Sequence, residues 1–180
     1  MSDTTADKSI GNMLTATTAR TTGLAKMLLA GIEPGDFASQ PVLDGKPVHT
    51  NHPAWVYGHL ALYPSSVMAM LGHDGSAIAC PEPWQELFKN GAVCKHDPDL
   101  STYPPMDEIV AAFETAYVTF IEAARNTTND VLLQPAPEEG WRDAFGTNAG
   151  VVNFMIHDHY MFHLGQVSTW RRMMGLGAAM

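Results

Sequence analysis

The sequence predicts an all-α protein, a four-helix bundle with long connections. Four long segments repeat apolar residues at steps of three and four, which is the spacing of one face of a helix. No segment alternates apolar and polar residues with the period of two that is typical of strands. The connections are rich in Pro, Gly and Asp and are longer than the tight turns of the simplest bundles.

The first helix is predicted from about Ser9 to Ala30, where Gly31 and then Pro34 supply a stop. A loop over residues 33–50 shows no period and leads to the second helix.

The second helix is predicted to start near Pro53, whose missing N–H costs nothing in a first helical turn. Asn51 or His52 can cap it. Because a proline removes a backbone hydrogen bond inside a helix, Pro64 should kink this helix or split it, and Gly72 should end it.

A short helix is predicted in "PEPWQELFKNG", with Pro83 in its first turn and Gly91 as its C-terminal cap. The third long helix carries an unbroken apolar stripe from Met106 to Ile121.

Residues 126–146 are rich in turn formers, and the last helix is predicted to run from Thr147 or Asn148 to about Gly175. Arg171 and Arg172 stand in its last turns, where cations complement the helix dipole.

Length and charge restrict the possible classes of protein. A chain of 180 residues can bury a sufficient core by itself, and we expect one domain over residues 1–180. A net charge of −9, with ten scattered Lys and Arg residues, argues against nucleic acid and membrane surfaces as partners. We expect a cytoplasmic protein, since the first thirty residues do not resemble a secretory signal. Cys80 and Cys94 are expected to be reduced thiols without an assigned role.

The last helix contains "HDHYMFHLGQV", which places three histidines in a largely apolar segment. His159 and His163 are four residues apart on its apolar stripe, so their rings can share one metal ion. The second helix places His59 on its own apolar face. The stripe of the last helix is formed by Val152, Met155, Ile156, His159, Phe162, His163, Gln166 and Trp170.

Each of these histidines can also be read as a core residue that one hydrogen bond satisfies. For the pair on one stripe, a shared metal ion and two core residues are equally favoured interpretations, because two imidazoles without partners are costly in a core. The other five histidines are predicted to be surface or capping residues, with His52 kept as a further candidate ligand. They are His49, His52, His73, His96 and His157.

Four segments resemble the DinB-like superfamily of bacterial proteins, the damage-inducible and YfiT-like metal-dependent four-helix bundles. They are "NHPAWVYGHLALY", "WQELFKNG", "YPPMDEIVAAF" and "HDHYMFHLGQVSTWRRMMGL", and they are most specific in "W…GHL" and "HxxxHxGQ…WRR". The resemblance implies a metal site with one histidine of the second long helix and two of the last. These positions are His59, His159 and His163.

Three imidazoles without a carboxylate suit Zn²⁺ or Ni²⁺ first, and also Fe²⁺ or Cu²⁺. Three protein ligands leave a coordination position open, as in catalytic rather than structural zinc sites. At neutral pH such an ion would yield hydroxide from bound water or thiolate from a bound thiol. A di-iron carboxylate site is disfavoured, since no Glu stands three residues before any His.

Four further residues are candidates for the surroundings of the metal. Gln166 shares the ligand face and is either a hydrogen-bond partner of a ligand or a packing residue. Trp55, Tyr63 and Trp170 either wall a pocket or belong to the core.

Two classes of function remain open. By resemblance, the chain is a metal-dependent enzyme, either a thiol-dependent S-transferase that joins a low-molecular-weight thiol to a small electrophile or a hydrolase. The alternative is a noncatalytic metal-binding or stress-response bundle. The resemblance and the apolar residues of the first helix also suggest a homodimer.

Overall fold

A computed structural model describes residues 6–179 of the chain. Over this range it contains ten α-helices, short 3-10 turns and one two-stranded antiparallel hairpin, β1 (Val42–Leu43) and β2 (Lys46–Pro47). The helices are α1 (Ser9–Thr15), α2 (Thr18–Leu29), α3 (Pro53–Leu62), α4 (Pro64–Met70), α5 (Glu82–Phe88), α6 (Met106–Asn126), α7 (Asn129–Leu132), α8 (Glu139–Phe145), α9 (Asn148–Asn153) and α10 (His159–Met173). The prediction of an all-α bundle is confirmed.

The four predicted long segments correspond to α1–α2, α3–α4, α6 and α9–α10. Helix α3 lies centrally and packs against α5, α6 and α10, while α1 packs on α6 and α2 on α10. Every residue of α3 is buried, whereas α6 buries one stripe and exposes its other face. The buried apolar side chains of these elements form one connected cluster.

The first segment differs from its prediction, because it is two helices and not one. Helix α1 ends at Thr15 and α2 begins at Thr18. The Thr15 hydroxyl donates to the Gly11 carbonyl, 2.9 Å away, and the Thr18 hydroxyl donates to the Thr15 carbonyl at 2.8 Å. Such side-chain hydrogen bonds compete with the helical backbone ladder at the break.

Pro64 splits the second segment, as one of the two predicted outcomes. Helix α3 ends at Leu62, and α4 begins at Pro64, where the missing N–H is tolerated. His52 caps the start of α3, with its Nδ1 accepting from the Trp55 N–H at 3.2 Å. Gly72, just beyond α4, adopts a positive φ of 80°.

Several connections contain more structure than the sequence predicted. Residues 126–146 were predicted to be turns, but they hold the short helices α7 and α8. Helix α5 ends at Phe88, so Gly91 lies beyond the helix and is not its cap. The β1–β2 hairpin was not predicted, and its residues are exposed.

The last segment is one continuous helical rod with a π turn, Phe154–Asp158, between α9 and α10. The Thr147 side chain caps it by accepting from the Gly150 N–H at 3.3 Å. Arg171 is buried and donates to the carbonyls of Leu28 and Ala30. Its guanidinium therefore satisfies the end of α2, instead of only complementing the dipole of its own helix.

A helix must hold about 20 predominantly apolar residues to cross a bilayer. No helix within residues 6–179 has the length and apolar content that this requires.

Candidate metal centre

His59 lies in the middle of α3, with one ring nitrogen held by the protein backbone. Its Nδ1–H donates to the carbonyl of Phe88, which ends α5, over 2.6 Å. This bond leaves the lone pair on Nε2. The neighbouring Gly58 permits the approach of α5, since a Cβ there would lie 2.5 Å from the Phe88 ring. Trp55 stacks on the other side, with ring centroids 4.7 Å apart and planes inclined by 12°.

His163 is held by a side-chain relay from the start of α3. Its Nδ1–H donates to Gln166 Oε1 at 3.0 Å, and the Asn51 side-chain N–H donates to the same oxygen at 3.0 Å. Two donors converge on this oxygen, so the orientation of the Gln166 amide is defined. Like His59, His163 is therefore left with a free lone pair on Nε2.

His159 stands one turn before His163, as the four-residue spacing predicts, and their ring centroids are 4.7 Å apart. Its Nε2 lies 3.1 Å from His59 Nε2. Phe154 stacks on its ring at a centroid distance of 5.3 Å.

The three imidazoles form one cluster, since one ring nitrogen from each lies within 4.8 Å of the others. Two nitrogens bound tetrahedrally to one zinc ion at about 2.0–2.1 Å would lie roughly 3.3 Å apart. The separation of 3.1 Å between the Nε2 atoms of His59 and His159 is close to this value. The cluster can therefore hold one divalent metal ion.

Burial keeps the cluster neutral. Removal from water lowers the pKa of His59 to about 4, and that of His159 to about 3 with a contribution from the neighbouring imidazoles. Burial also lowers the pKa of His163. Neutral imidazole is the form that binds metals, so these rings need not lose a proton at neutral pH.

One buried atom of the cluster has no protein partner. Among residues 6–179, nothing hydrogen-bonds to His159 Nδ1. If the Nε2–H of His159 donates to Nε2 of His59, His159 has one hydrogen bond, and Nε2 of His163 still has none. A cation would instead occupy one lone pair of each ring, so the donor set fits a metal better than a network of core hydrogen bonds.

A half-open cavity of about 380 Å³ adjoins the cluster. Helices α3, α8, α10 and the π turn contribute to its wall. The lining residues are Trp55, His59, Tyr63, Asn90, Trp141, Phe154, Met155, His159, Phe162 and His163. This cavity gives the cluster access to a small molecule.

The predicted surrounding residues occupy different places around the cluster. Trp55 and Tyr63 line the cavity, and Gln166 contacts a candidate ligand. Phe162 was predicted on the inner face, but 67% of it is exposed at the edge of the cavity. Trp170 is buried away from the cavity and donates from Nε1 to the Ser39 carbonyl at 2.7 Å.

Sequence reasoning missed several contributors to the site, among them Phe154, which stacks on His159. Asn51 was considered only as a cap, and Trp141 lay in a segment predicted to be turns. The Phe88 carbonyl and Asn90 follow from the packing of α5 on α3. Only Gly58, next to His59 on an apolar face, indicated in the sequence that another helix, here α5, could approach closely.

The other histidines lie outside the cluster. His52 was predicted to be a surface or capping residue, and it is a cap that is completely buried. Its Nε2–H donates to the Lys95 carbonyl at 2.8 Å. His157 lies within hydrogen-bond distance of the Leu14 carbonyl, and His73 of the Thr127 hydroxyl. His96 accepts from the Gln40 N–H.

Burial disfavours the thiolate form of both cysteines. Both Cys80 and Cys94 are free, and burial raises their pKa values to about 11 and about 12.

The fold and the cluster define a class: a helical bundle in which the second and last long segments bring three histidines to one cavity. A family model described as the DinB superfamily matches residues 14–167. The match covers most of the chain and all three histidines, and the chain belongs to the DinB superfamily. No curated protein and no solved structure matches it significantly. The family and the cluster together fit a metal-binding protein.

Proposed function

We propose that the protein is a metal-dependent enzyme that transfers a low-molecular-weight thiol to a small electrophile. The observation that carries the proposal is the convergence of three neutral imidazoles at the wall of a cavity that a small molecule can enter. His59, His159 and His163 would hold Zn²⁺ or Ni²⁺, with Fe²⁺ and Cu²⁺ as the other candidates.

The protein groups around the cluster would prepare it for this task. The Phe88 carbonyl fixes the tautomer of His59, and Gln166 fixes that of His163. Trp55 covers one face of the His59 ring and excludes water from it. The ligand nitrogens are thus oriented before an ion arrives, which reduces the entropy lost on binding.

A bound divalent ion would supply the acidity that turns a thiol into a thiolate at neutral pH. In the proposed transfer, a bond forms between the thiol sulfur and an electrophilic carbon, and the bond from that carbon to its leaving group breaks. The leaving group keeps that electron pair, and the thiol proton passes to water. The cavity walls would hold the electrophile beside the sulfur, which supplies proximity.

The open geometry supports an enzyme over a noncatalytic metal protein. In residues 6–179, no carboxylate, cysteine or fourth histidine joins the three-histidine cluster. A structural zinc site normally has four protein ligands, whereas a catalytic site keeps one position for water or substrate.

The first test is metal analysis of protein purified without an affinity tag, before and after reconstitution. We expect about one equivalent of a transition metal in the parent protein and loss of that metal in His59→Ala, His159→Ala and His163→Ala. The loaded protein should then accelerate conjugation of cysteine to 1-chloro-2,4-dinitrobenzene, measured by product absorbance. No metal after reconstitution, or equal rates for loaded parent and His163→Ala proteins, would refute the proposal.

A further inference from the structure

The cavity beside the histidines has an aromatic and uncharged wall. Five of its lining side chains are Trp55, Tyr63, Trp141, Phe154 and Phe162. Of the residues described between 6 and 179, none that lines it is Asp, Glu, Lys or Arg. An anionic ligand would therefore leave water without gaining an ion pair from the wall.

The cations nearest in sequence to the lining residues are committed elsewhere. Lys89, next to Asn90, pairs with Glu86 at 2.8 Å on the surface. Arg142, next to Trp141, donates from Nη1 to the carbonyls of Ala136 and Pro137. Turning either side chain toward the cavity would break these contacts.

The aromatic wall is partly fixed and partly open. Phe145 stacks on Phe154 with centroids 4.5 Å apart, which holds the Phe154 ring between α8 and His159. Phe162, by contrast, leaves 67% of its surface in water at the cavity edge. A flat apolar ligand would cover part of this exposed ring and gain stacking contacts.

A neutral hydrogen-bond donor stands in the same wall. The Tyr63 hydroxyl accepts from the Asn90 N–H at 3.1 Å. In the described part of the chain its own proton is donated to no protein acceptor. A tyrosine hydroxyl carries its proton at neutral pH.

We propose that the electrophile is an uncharged molecule with a flat apolar ring and a neutral hydrogen-bond acceptor, bound with its ring against Trp141 and Phe162 and its acceptor at the Tyr63 hydroxyl. This inference rests on the proposed transfer reaction, for which it names the class of second substrate. It also assigns Tyr63 and Trp141 a part in choosing that substrate.

The test compares three naphthalene probes by calorimetric titration of the metal-free protein, in which no divalent charge acts on the probes. The probes are 2-acetylnaphthalene, 6-acetylnaphthalene-2-sulfonate and 2-ethylnaphthalene. The sulfonate adds a negative charge to the same ring, and without the ion the comparison reports on the wall. We expect 2-acetylnaphthalene to bind at least about tenfold more tightly than the sulfonate, because the wall offers the charge no partner. Equal or tighter binding of the sulfonate would overturn the inference.

Two variants test the proposed contacts of the ring and of the acceptor. Trp141→Ala should weaken 2-acetylnaphthalene binding several-fold, whereas Leu133→Ala, at an exposed apolar residue outside the cavity lining, should not. Tyr63→Phe should weaken the ketone several-fold and leave 2-ethylnaphthalene unchanged, since only the ketone accepts a hydrogen bond. Unchanged affinity in Trp141→Ala places the ring elsewhere, and unchanged ketone affinity in Tyr63→Phe removes the acceptor site; either contradicts the inference.

The two proposals can fail separately. A protein that binds one equivalent of metal and prefers the sulfonate would refute the ring site and leave the metal site intact. A protein that binds 2-acetylnaphthalene but no metal would keep the ring site and refute the transfer reaction.

Discussion

His52 and His59 lie two turns apart along α3 and are both buried, but they use their ring nitrogens in different ways. His52, at the start of the helix, donates from Nε2 to the Lys95 carbonyl and accepts at Nδ1 from the Trp55 N–H. The protein itself satisfies both nitrogens. His52 is thus a fixed neutral cap with no lone pair to offer a ligand.

His59 lies on the same side of the helix, but only its Nδ1 has a backbone partner. Its Nε2 meets Nε2 of His159, and the free nitrogen of His163 lies in the same cluster. Both regions are buried, and burial lowers the pKa of both His52 and His59 to about 4. Burial alone therefore does not separate a structural histidine from a candidate ligand. The direction of the unpaired nitrogens does.

The largest expected difference between the two regions is in metal affinity. His159→Ala should lower it by more than about 100-fold, since a candidate ligand should matter more than an outer partner, whose loss costs about 10–100-fold. Competition with a chelating dye measures the affinity, and circular dichroism should show unchanged helix content. His52→Asn is the matched control and should bind metal like the parent. Equal loss of metal in both variants would contradict the distinction between a ligand at His159 and a structural cap at His52.

Gln166 should give the next effect. Gln166→Leu removes the acceptor of His163 Nδ1–H, so metal affinity should fall by about 10–100-fold. Gln166→Glu keeps an oxygen acceptor and should recover most of the affinity in the same dye assay. If leucine and glutamate behave alike, the hydrogen bond does not position His163.

His52 should instead control stability. His52→Ala leaves the buried Trp55 N–H unpaired, which should lower the free energy of unfolding by about 1–3 kcal/mol in urea titrations. His52→Asn supplies another capping oxygen and should lose less. Metal stoichiometry should stay at the parent value in both proteins, and a loss of metal would make His52 part of the centre.

The pH dependence of stability should carry the signature of His52. Its pKa is about 4 in the folded protein against an ordinary value of 6.5, because burial disfavours the cation. Between these values the unfolded chain binds a proton that the folded chain does not, so stability is full above pH 6.5 and falls on acidification. The contribution is up to about 1.4 kcal/mol per pH unit. Urea titrations of the metal-free protein should show a steeper loss than those of His52→Asn, and identical slopes would contradict this.

The smallest effect on the metal is expected from His157, which lies in the π turn near the Leu14 carbonyl. His157→Ala should lower stability by about 0.5–1.5 kcal/mol through the lost hydrogen bond. Metal content of the untagged protein should not change. A marked loss of metal would place the site on the other face of the rod.

Features of the site that depend on helical period could be predicted from the sequence. The i,i+4 spacing of His159 and His163 and the apolar face around His59 predicted inward imidazoles, and the family resemblance implied that the three share one site. The structure brings them together, and their role as ligands stays a prediction. The fate of Pro64 followed equally from local chemistry. The spacing of the histidine pair and the split at Pro64 depend on residues within one or two turns of each other.

Features set by distant contacts could not be predicted in this way. Nothing near Asn51 in the sequence indicates that it reaches Gln166, 115 positions away. Trp141 reaches the cavity because α8 folds back in a segment whose composition suggested only turns. Phe162 was assigned to the inner face because it stands three residues after His159, but α10 buries the face of Tyr160, His163 and Val167 and leaves Phe162 at the cavity edge.

The π turn between α9 and α10 separates two properties of the HxxxH motif, which are the spacing of its histidines and the direction in which they point. The spacing of His159 and His163 belongs to α10, but the angular phase of the pair relative to α9 includes the extra residue of the π turn. Each residue of an α-helix turns the chain by about 100°. A shortening by one residue within Phe154–Asp158 would keep an intact HxxxH pair while directing it away from α3. In a homologue with such a deletion, the pair would lack the third histidine, so the length of this stretch is as diagnostic as the histidines themselves.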